Sequence, residues 1–215
     1  MSVESLSALD RSTLRERSLE ALRSAILSGR YRPGDHLGEV ELGKHLGVSR
    51  GTVREALRHL QQEGLVTAGN RGMPRVNSVS PREVRELFRV RAALEGAVAE
   101  IIASPRREAA AARLDEALSQ LSDTDGDFAA NLGFHPLLCQ LSGNTMLVEA
   151  WRYLEGRIRV TIMNCEERSA PVMMSRDRHA PIVEAIARGD VAAATEVVEQ
   201  HMASAADQYA SLTDG

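Results

Sequence analysis

Apolar residues recur at helical spacing along most of this chain. Residues 13–28 put Leu19, Leu22, Ile26 and Leu27 on one stripe, and Gly29 followed by Arg32-Pro33-Gly34-Asp35 ends the helix in turn chemistry. A second short helix is expected over 39–46, EVELGKHL, closed by Gly47. Ser49 is positioned to cap a third, SRGTVREALRHLQQEG, which buries Val53, Ala56, Leu57 and Leu60 and stops at Gly64. The pattern then changes. LVTAGNRGMPRVNSV, residues 65–79, reads as a two-stranded hairpin with Gly69, Asn70 and Gly72 available for the turn.

Helix, helix, tight turn, helix and hairpin, in that order, make a winged helix-turn-helix. Its third helix carries a polar N-terminal face of Ser49, Arg50, Thr52 and Arg54 opposite the apolar one. That face suits the major groove of double-stranded DNA, where arginine makes bidentate contacts to guanine or charged contacts to phosphate. The hairpin tip, with Arg71 and Gly72, is placed to reach a neighbouring groove or the backbone. The plainer alternative is a solvated helix face, with Arg54 paired to an acid.

Ser80-Pro81-Arg82-Glu83 is a strong helix start: an N-cap serine, proline at N1 and a glutamate that closes a capping box. The boundary therefore falls near Asn77–Ser80 and divides the chain into domains 1–78 and 79–215. Beyond it only helices are expected, over about 81–103, 106–122, 125–142, 144–167, 171–188 and 190–211. Gly143-Asn144 and Gly189-Asp190 each pair a C′ glycine with an N-cap residue and mark sharp corners. Six such helices predict an antiparallel bundle and a mostly α protein.

Composition adds limits. Aromatic residues make up only 3%, so Leu, Val, Ile, Ala and Met must build the core. No apolar run is long enough to span a membrane, and the N-terminus lacks the pattern of a signal peptide, which predicts a cytoplasmic protein. Cys139 and Cys165 sit in no CxxC pair and read as reduced thiols. The net charge of −4 conceals a split: residues 1–77 hold 12 Lys+Arg against 9 Asp+Glu, residues 78–215 hold 14 against 21. A basic head on an acidic body fits DNA binding by the head alone.

Three of the six histidines lie in the second domain. Asn131 precedes His135 by one helical turn and shares its face; His179 opens a stripe with Ile182, Val183 and Ile186; His201 lies on the stripe of Val197, Val198 and Ala205. All three imidazoles are expected to point inward. Three inward histidines and an oxygen donor on three helices suit a divalent metal; core histidines satisfied by hydrogen bonds are the alternative. An enzyme is not expected, for the chain has no HExxH, GxSxG, P-loop or GxGxxG motif.

The stretch LGEVELGKHLGVSRGTVREALRHLQQEGLV resembles the DNA-binding head of the GntR family of bacterial regulators, and residues 81–211 resemble the FCD effector domain of its FadR-type members. The motifs that carry the second likeness are RVRAALEGAVAE, NLGFHPLLCQLSGN and HAPIVEAIARGDVAAATEVVEQH. Six helices rather than seven point to the VanR-like subgroup. The resemblance implies that Arg50 and Arg54 make the main DNA contacts, helped by Ser49 and Thr52. Some members have an arginine where this chain has Val40, and the wing here carries Met73-Pro74 after its glycine. It further implies a divalent metal, zinc or nickel, on His135, His179, His201 and Asn131, the last standing where the family has an acid. Four neutral ligands would leave the ion its full charge and draw a small carboxylate effector to it. Arg91 resembles a position that faces the cavity and would hold the carboxylate's other end; a simple i,i+4 pair with Glu95 is the alternative. Arg157, Arg159 and Asn164 lie on another helix and read as surface positions, with lining the cavity as the alternative. The expected protein is a homodimeric, ligand-responsive repressor on operator DNA; a ligand-independent DNA-binding dimer with structural histidines is the other reading.

Overall fold

A computed structural model describes residues 13–69, 72–104, 107–119, 128–163 and 175–213, with residues 107 and 128–132 described through their backbone alone. The chain divides into two compact units on either side of the Val76–Asn77 bond.

In the first unit, Thr13 caps α1 (Leu14–Leu27) through a capping box with Glu16. Helix α2 (Glu39–Leu46) ends at Gly47, whose φ of +65° lets the chain turn within three residues into α3 (Arg50–Gln62). The approach is close enough that a Cβ on Gly43 would lie 3.0 Å from the Val48 carbonyl oxygen. Leu22 and Ile26 of α1, Leu42 of α2, and Val53, Ala56, Leu57 and Leu60 of α3 form one core with Leu37, Leu65, Val66 and Val76. The stripe of α1 also buries Ser18, which apolar spacing does not reveal; its hydroxyl donates to the Leu14 carbonyl at 2.6 Å. The wing pairs β1 (Val66–Ala68) with β2 (Pro74–Val76) in antiparallel register, Val66 opposite Val76. Its turn requires Gly69, because a Cβ there would come within 2.8 Å of the Met73 oxygen and Arg75 Cδ. Segment 34–37 bonds β2 on its free side through Leu37 N–H to Pro74 O and Val76 N–H to Asp35 O, both at 2.9 Å.

The second unit contains, among the described residues, six helices: α4 (Pro81–Ile102), α5 (Arg107–Ser119), α6 (Phe128–Leu141), α7 (Thr145–Met163), α8 (Arg176–Arg188) and α9 (Val191–Thr213). The Ser80–Glu83 capping box starts α4. The α6–α7 and α8–α9 corners use Gly143 (φ +67°) and Gly189 (φ +70°), and the side chains of Asn144 and Asp190 accept the first free N–H groups of the helices that follow. The two longest helices, α4 and α9, run antiparallel along each other: Phe88 meets Tyr209 at one end and Gly96 meets Thr195 further along. Around them Leu114, Leu118, Phe134, Leu138, Trp151, Ile158, Ile182 and Ile186 complete an apolar core that nonetheless encloses Arg91, Glu95, His135 and His179. The expected helical segments at 120–122, 125–127, 164–167 and 171–174 lie outside the described residues, as do Asn164 and Cys165. Cys139 is a free, buried thiol.

Candidate functional site

The polar face of α3 is assembled by its own cap. Ser49 Oγ accepts the Thr52 N–H at 3.1 Å and lies 2.9 Å from Thr52 Oγ1, so both hydroxyls sit at the helix N-terminus, where the macrodipole favours an anion. The Arg50 and Arg54 side chains are 66% and 49% exposed. Both turn toward one acid, Glu39 on α2. Arg54 donates Nε to Glu39 Oε1 at 2.8 Å and Nη2 to Oε2 at 2.7 Å, while Arg50 Nη2 stands 3.9 Å from Oε2. The Arg54 hydrogen bond, ahead of the charges of Arg54 and Arg50, lowers the Glu39 pKa, and the same bond raises that of Arg54. Arg54 therefore has its acid partner, yet the fork uses one edge of a planar guanidinium and leaves the opposite edge turned outward. Val40, the next residue of α2 after Glu39, is exposed. At the wing, Gly72 holds φ +74° and donates its N–H to the Gly69 carbonyl at 3.0 Å. Arg71 lies outside the described residues.

In the second unit His135 of α6, His179 of α8 and His201 of α9 meet. Their ring centroids are 4.7–5.5 Å apart, and one donor atom from each lies within 4.8 Å of the others. Every Nδ1 faces an acceptor: Glu95 Oε2 at 2.6 Å for His135, the Ser175 carbonyl at 3.0 Å for His179, and the Arg178 carbonyl at 3.2 Å for His201. An acceptor at Nδ1 fixes the proton there and leaves Nε2 with its lone pair. Burial, reinforced for His179 and His201 by the neighbouring rings, lowers all three pKa values, that of His179 from 6.5 to about 3. The histidines are thus neutral at pH 7. Three neutral imidazoles locked in one tautomer are the donor set of a borderline divalent ion. Asn131 belongs to α6 one turn before His135, and its side chain is outside the described set.

Glu95 of α4 organises this centre. Its buried carboxylate accepts from Arg91 Nε at 3.0 Å, Trp151 Nε1 at 3.3 Å and His135 Nδ1 at 2.6 Å, joining α4, α6 and α7. Burial alone would raise its pKa, but the Arg91 charge, with the hydrogen bonds from His135 and Arg91, brings it to about 2. Sequence reasoning had Glu95 only as a partner of Arg91; the RxxxE spacing gives that pair, while its contacts to α6 and α7 come from tertiary packing. Arg91 stacks 4.8 Å from the Phe88 ring centroid, and its Nη2 is buried with no hydrogen-bond partner among the described residues. A cavity of about 20 Å³ lies between Arg91 and the three histidines, walled by Phe88, Trp151, Ile158 and Tyr209. Arg159 instead pairs with Glu155 at 2.7 Å, both half-buried in a separate cavity lined by Gly133, Pro136 and Cys139 of α6, and Arg157 lies over the exposed ring of Tyr153.

Residues 11–75 match the model of the bacterial regulatory proteins of the gntR family, and residues 86–204 match that of the FCD domain. The chain belongs to the GntR family of bacterial regulatory proteins and carries an FCD domain. Among its relatives is the HTH-type transcriptional repressor RspR of Escherichia coli K12, 30% identical over 84% of this chain and 82% of that protein. A probable D-xylose utilization operon transcriptional repressor of Paenarthrobacter nicotinovorans is 28% identical over 91% of this chain and 88% of its own. A crystal structure of a putative GntR regulator from Rhodococcus sp. RHA1 superposes with a TM-score of 0.72 at 28% identity, covering 92% of this chain and 98% of that one. The protein is a DNA-binding transcription regulator and not an enzyme. No helix among the described residues is long and apolar enough to cross a membrane.

Proposed function

We propose that this regulator is a cytoplasmic, homodimeric repressor of the VanR-like subgroup, whose FCD domain binds a divalent metal and, on that metal, a small carboxylate. The observation that carries the reading is the lining of one cavity: His135 and His179, both buried, and the half-buried His201 bring one donor atom each within 4.8 Å of the others, and Arg91, whose buried Nη2 has no partner among the described residues, lines the same cavity. His135, His179 and His201 would hold the ion, with Asn131 as a fourth donor. When bound, the ion supplies positive charge and open coordination positions for an anion, and Arg91 Nη2 takes the anion's other end. Ser49, Arg50, Thr52 and Arg54 contact the operator, with Arg71 and Gly72 at the wing. Two of the relatives described above carry the word repressor in their names, which supports that sign of regulation. Effector binding shifts the population between arrangements of the heads that fit and do not fit a two-fold operator.

The test is thermal unfolding with zinc or nickel, each with and without acetate, propionate or an uncharged amide of the same size. The reading predicts that metal raises the midpoint, and that carboxylates raise it further only when metal is present. A shift by the amides alone, or by carboxylates in chelator, contradicts it. No shift by any metal would favour structural histidines, for which the three filled Nδ1 positions are themselves sufficient hydrogen bonding.

A further inference from the structure

Two Arg–Glu forks hold α3, and they differ in what they leave over. Toward the C-terminal end, Arg23 of α1 donates Nε to Glu63 Oε2 at 3.0 Å and Nη2 to Glu63 Oε1 at 2.6 Å, and its Nη1 bonds Glu20. All three nitrogens of that guanidinium are engaged within the fold, and the side chain is 27% exposed. At the N-terminal end, Glu39 binds Arg54 by the Nε/Nη2 edge alone, and stands within 3.9 Å of Arg50 Nη2. There the outer guanidinium edge, Nη1 with the second Nη2 hydrogen, is turned away from the acid, on a side chain about half exposed. The first fork is a clamp. The second is a guide.

We propose that Glu39 is a specificity-determining positioning residue, which holds Arg54 by one edge so that the other is presented to a guanine in the major groove, and which draws Arg50 to the same side. The inference rests on the reading that Arg50 and Arg54 contact bases. An arginine held in this way is a ready two-pronged donor for guanine O6 and N7. Released from Glu39, it follows the denser negative charge of the phosphates, which positions a protein but carries no base information. The Glu39 carboxylate itself also repels those phosphates. Glu39 therefore trades affinity for random DNA against discrimination, unlike a residue that only stabilises the helix-turn-helix.

The experiment selects duplexes from a random-sequence library with the full-length wild type, then measures Kd for a selected duplex and a scrambled one, over a range of salt. Glu39→Gln is expected to bind the scrambled duplex more tightly, with a steeper salt dependence, and to lower the selected-to-scrambled ratio about tenfold or more. Glu39→Asp keeps the charge but shortens the reach; it is expected to lower the ratio without tightening scrambled binding. Glu63→Gln is expected to lower the melting temperature and leave the ratio unchanged. A ratio unchanged within twofold in Glu39→Gln overturns the proposal, as does a parallel loss on both duplexes in both Glu39 variants. Arg54→Ala separates this from the reading beneath it. If Arg54→Ala keeps full discrimination, the base-contact reading fails; if it abolishes discrimination while Glu39→Gln retains it, only the role of Glu39 fails.

Discussion

Substituting Glu95 by glutamine separates the two tasks the structure gives that carboxylate. Glutamine has nearly the same shape but one acceptor oxygen and no charge. Three donors converge on the site: Arg91 Nε and Trp151 Nε1 on one oxygen, His135 Nδ1 on the other. Arg91 stays cationic when buried, so the amide oxygen turns to Arg91 and Trp151 and the amide N–H₂ faces His135. Two donors cannot face each other. His135 then moves its proton to Nε2, and the lone pair that would meet a metal is lost. Losing such an orienting partner lowers metal affinity by about 10–100-fold. Separately, removing one member of a buried ion pair costs about 3–5 kcal/mol, because the other charge is left uncompensated. With Arg91 only 3% exposed and Glu95 at 0%, solvent screens neither. Chelator-competition titration with zinc or nickel measures the first effect, and urea denaturation of the metal-free protein the second. Metal affinity within threefold of wild type would refute the tautomer argument even if stability fell. Stability within about 1 kcal/mol of wild type would refute the charge argument.

Arg91→Lys keeps the charge beside Glu95 but removes the buried, unpartnered Nη2; metal content should be unchanged while acetate affinity in the metal-bound protein falls tenfold or more, and equal affinity would remove Arg91 from the effector site. Arg54→Ala should weaken binding to a library-selected duplex and reduce the slope of log K against log salt by about one, whereas an unchanged slope means that the side chain does not reach the DNA. The pH dependence of the metal-free protein has a fixed sign. The folded-state pKa of His179 is depressed from 6.5 to about 3, mainly by burial, so the unfolded chain takes up protons first and stability is full above about pH 6.5. It is then lost as the pH falls toward 3, and Glu95, depressed to about 2, acts in the same direction below about 4.5. A urea midpoint that is flat between pH 7.5 and 5.5 would contradict the neutral, buried histidines.

Much of this architecture was legible because its signals are local. The Thr13–Glu16 and Ser80–Glu83 boxes, the Ser49 cap, and the glycine-then-cap corners at Gly143-Asn144 and Gly189-Asp190 each need only three or four consecutive residues. Convergence of His135, His179 and His201 was legible from periodicity, since each lies on an apolar stripe that must face the core. Which nitrogen each ring turns inward was not. That choice depends on the Ser175 carbonyl one turn back, the Arg178 carbonyl on a neighbouring helix and the Glu95 carboxylate on another. Of the two readings of Arg91, the i,i+4 pair with Glu95 is present through Nε, while Nη2 stays buried without a partner among the described residues. The fork between Arg54 and Glu39 spans fifteen positions and two helices, so an acid partner was expected but not this one.

On the proposed reading, the cluster of His135, His179 and His201 is a metal centre through which the FCD domain senses its ligand. Elemental analysis of untagged protein purified without chelator, beside a His179→Ala variant, tests it most directly. About one divalent metal per chain is expected in the wild type, and loss of that metal in the variant. No metal in either protein, even after incubation with zinc and nickel, would contradict it and leave the three histidines as hydrogen-bonded members of the core.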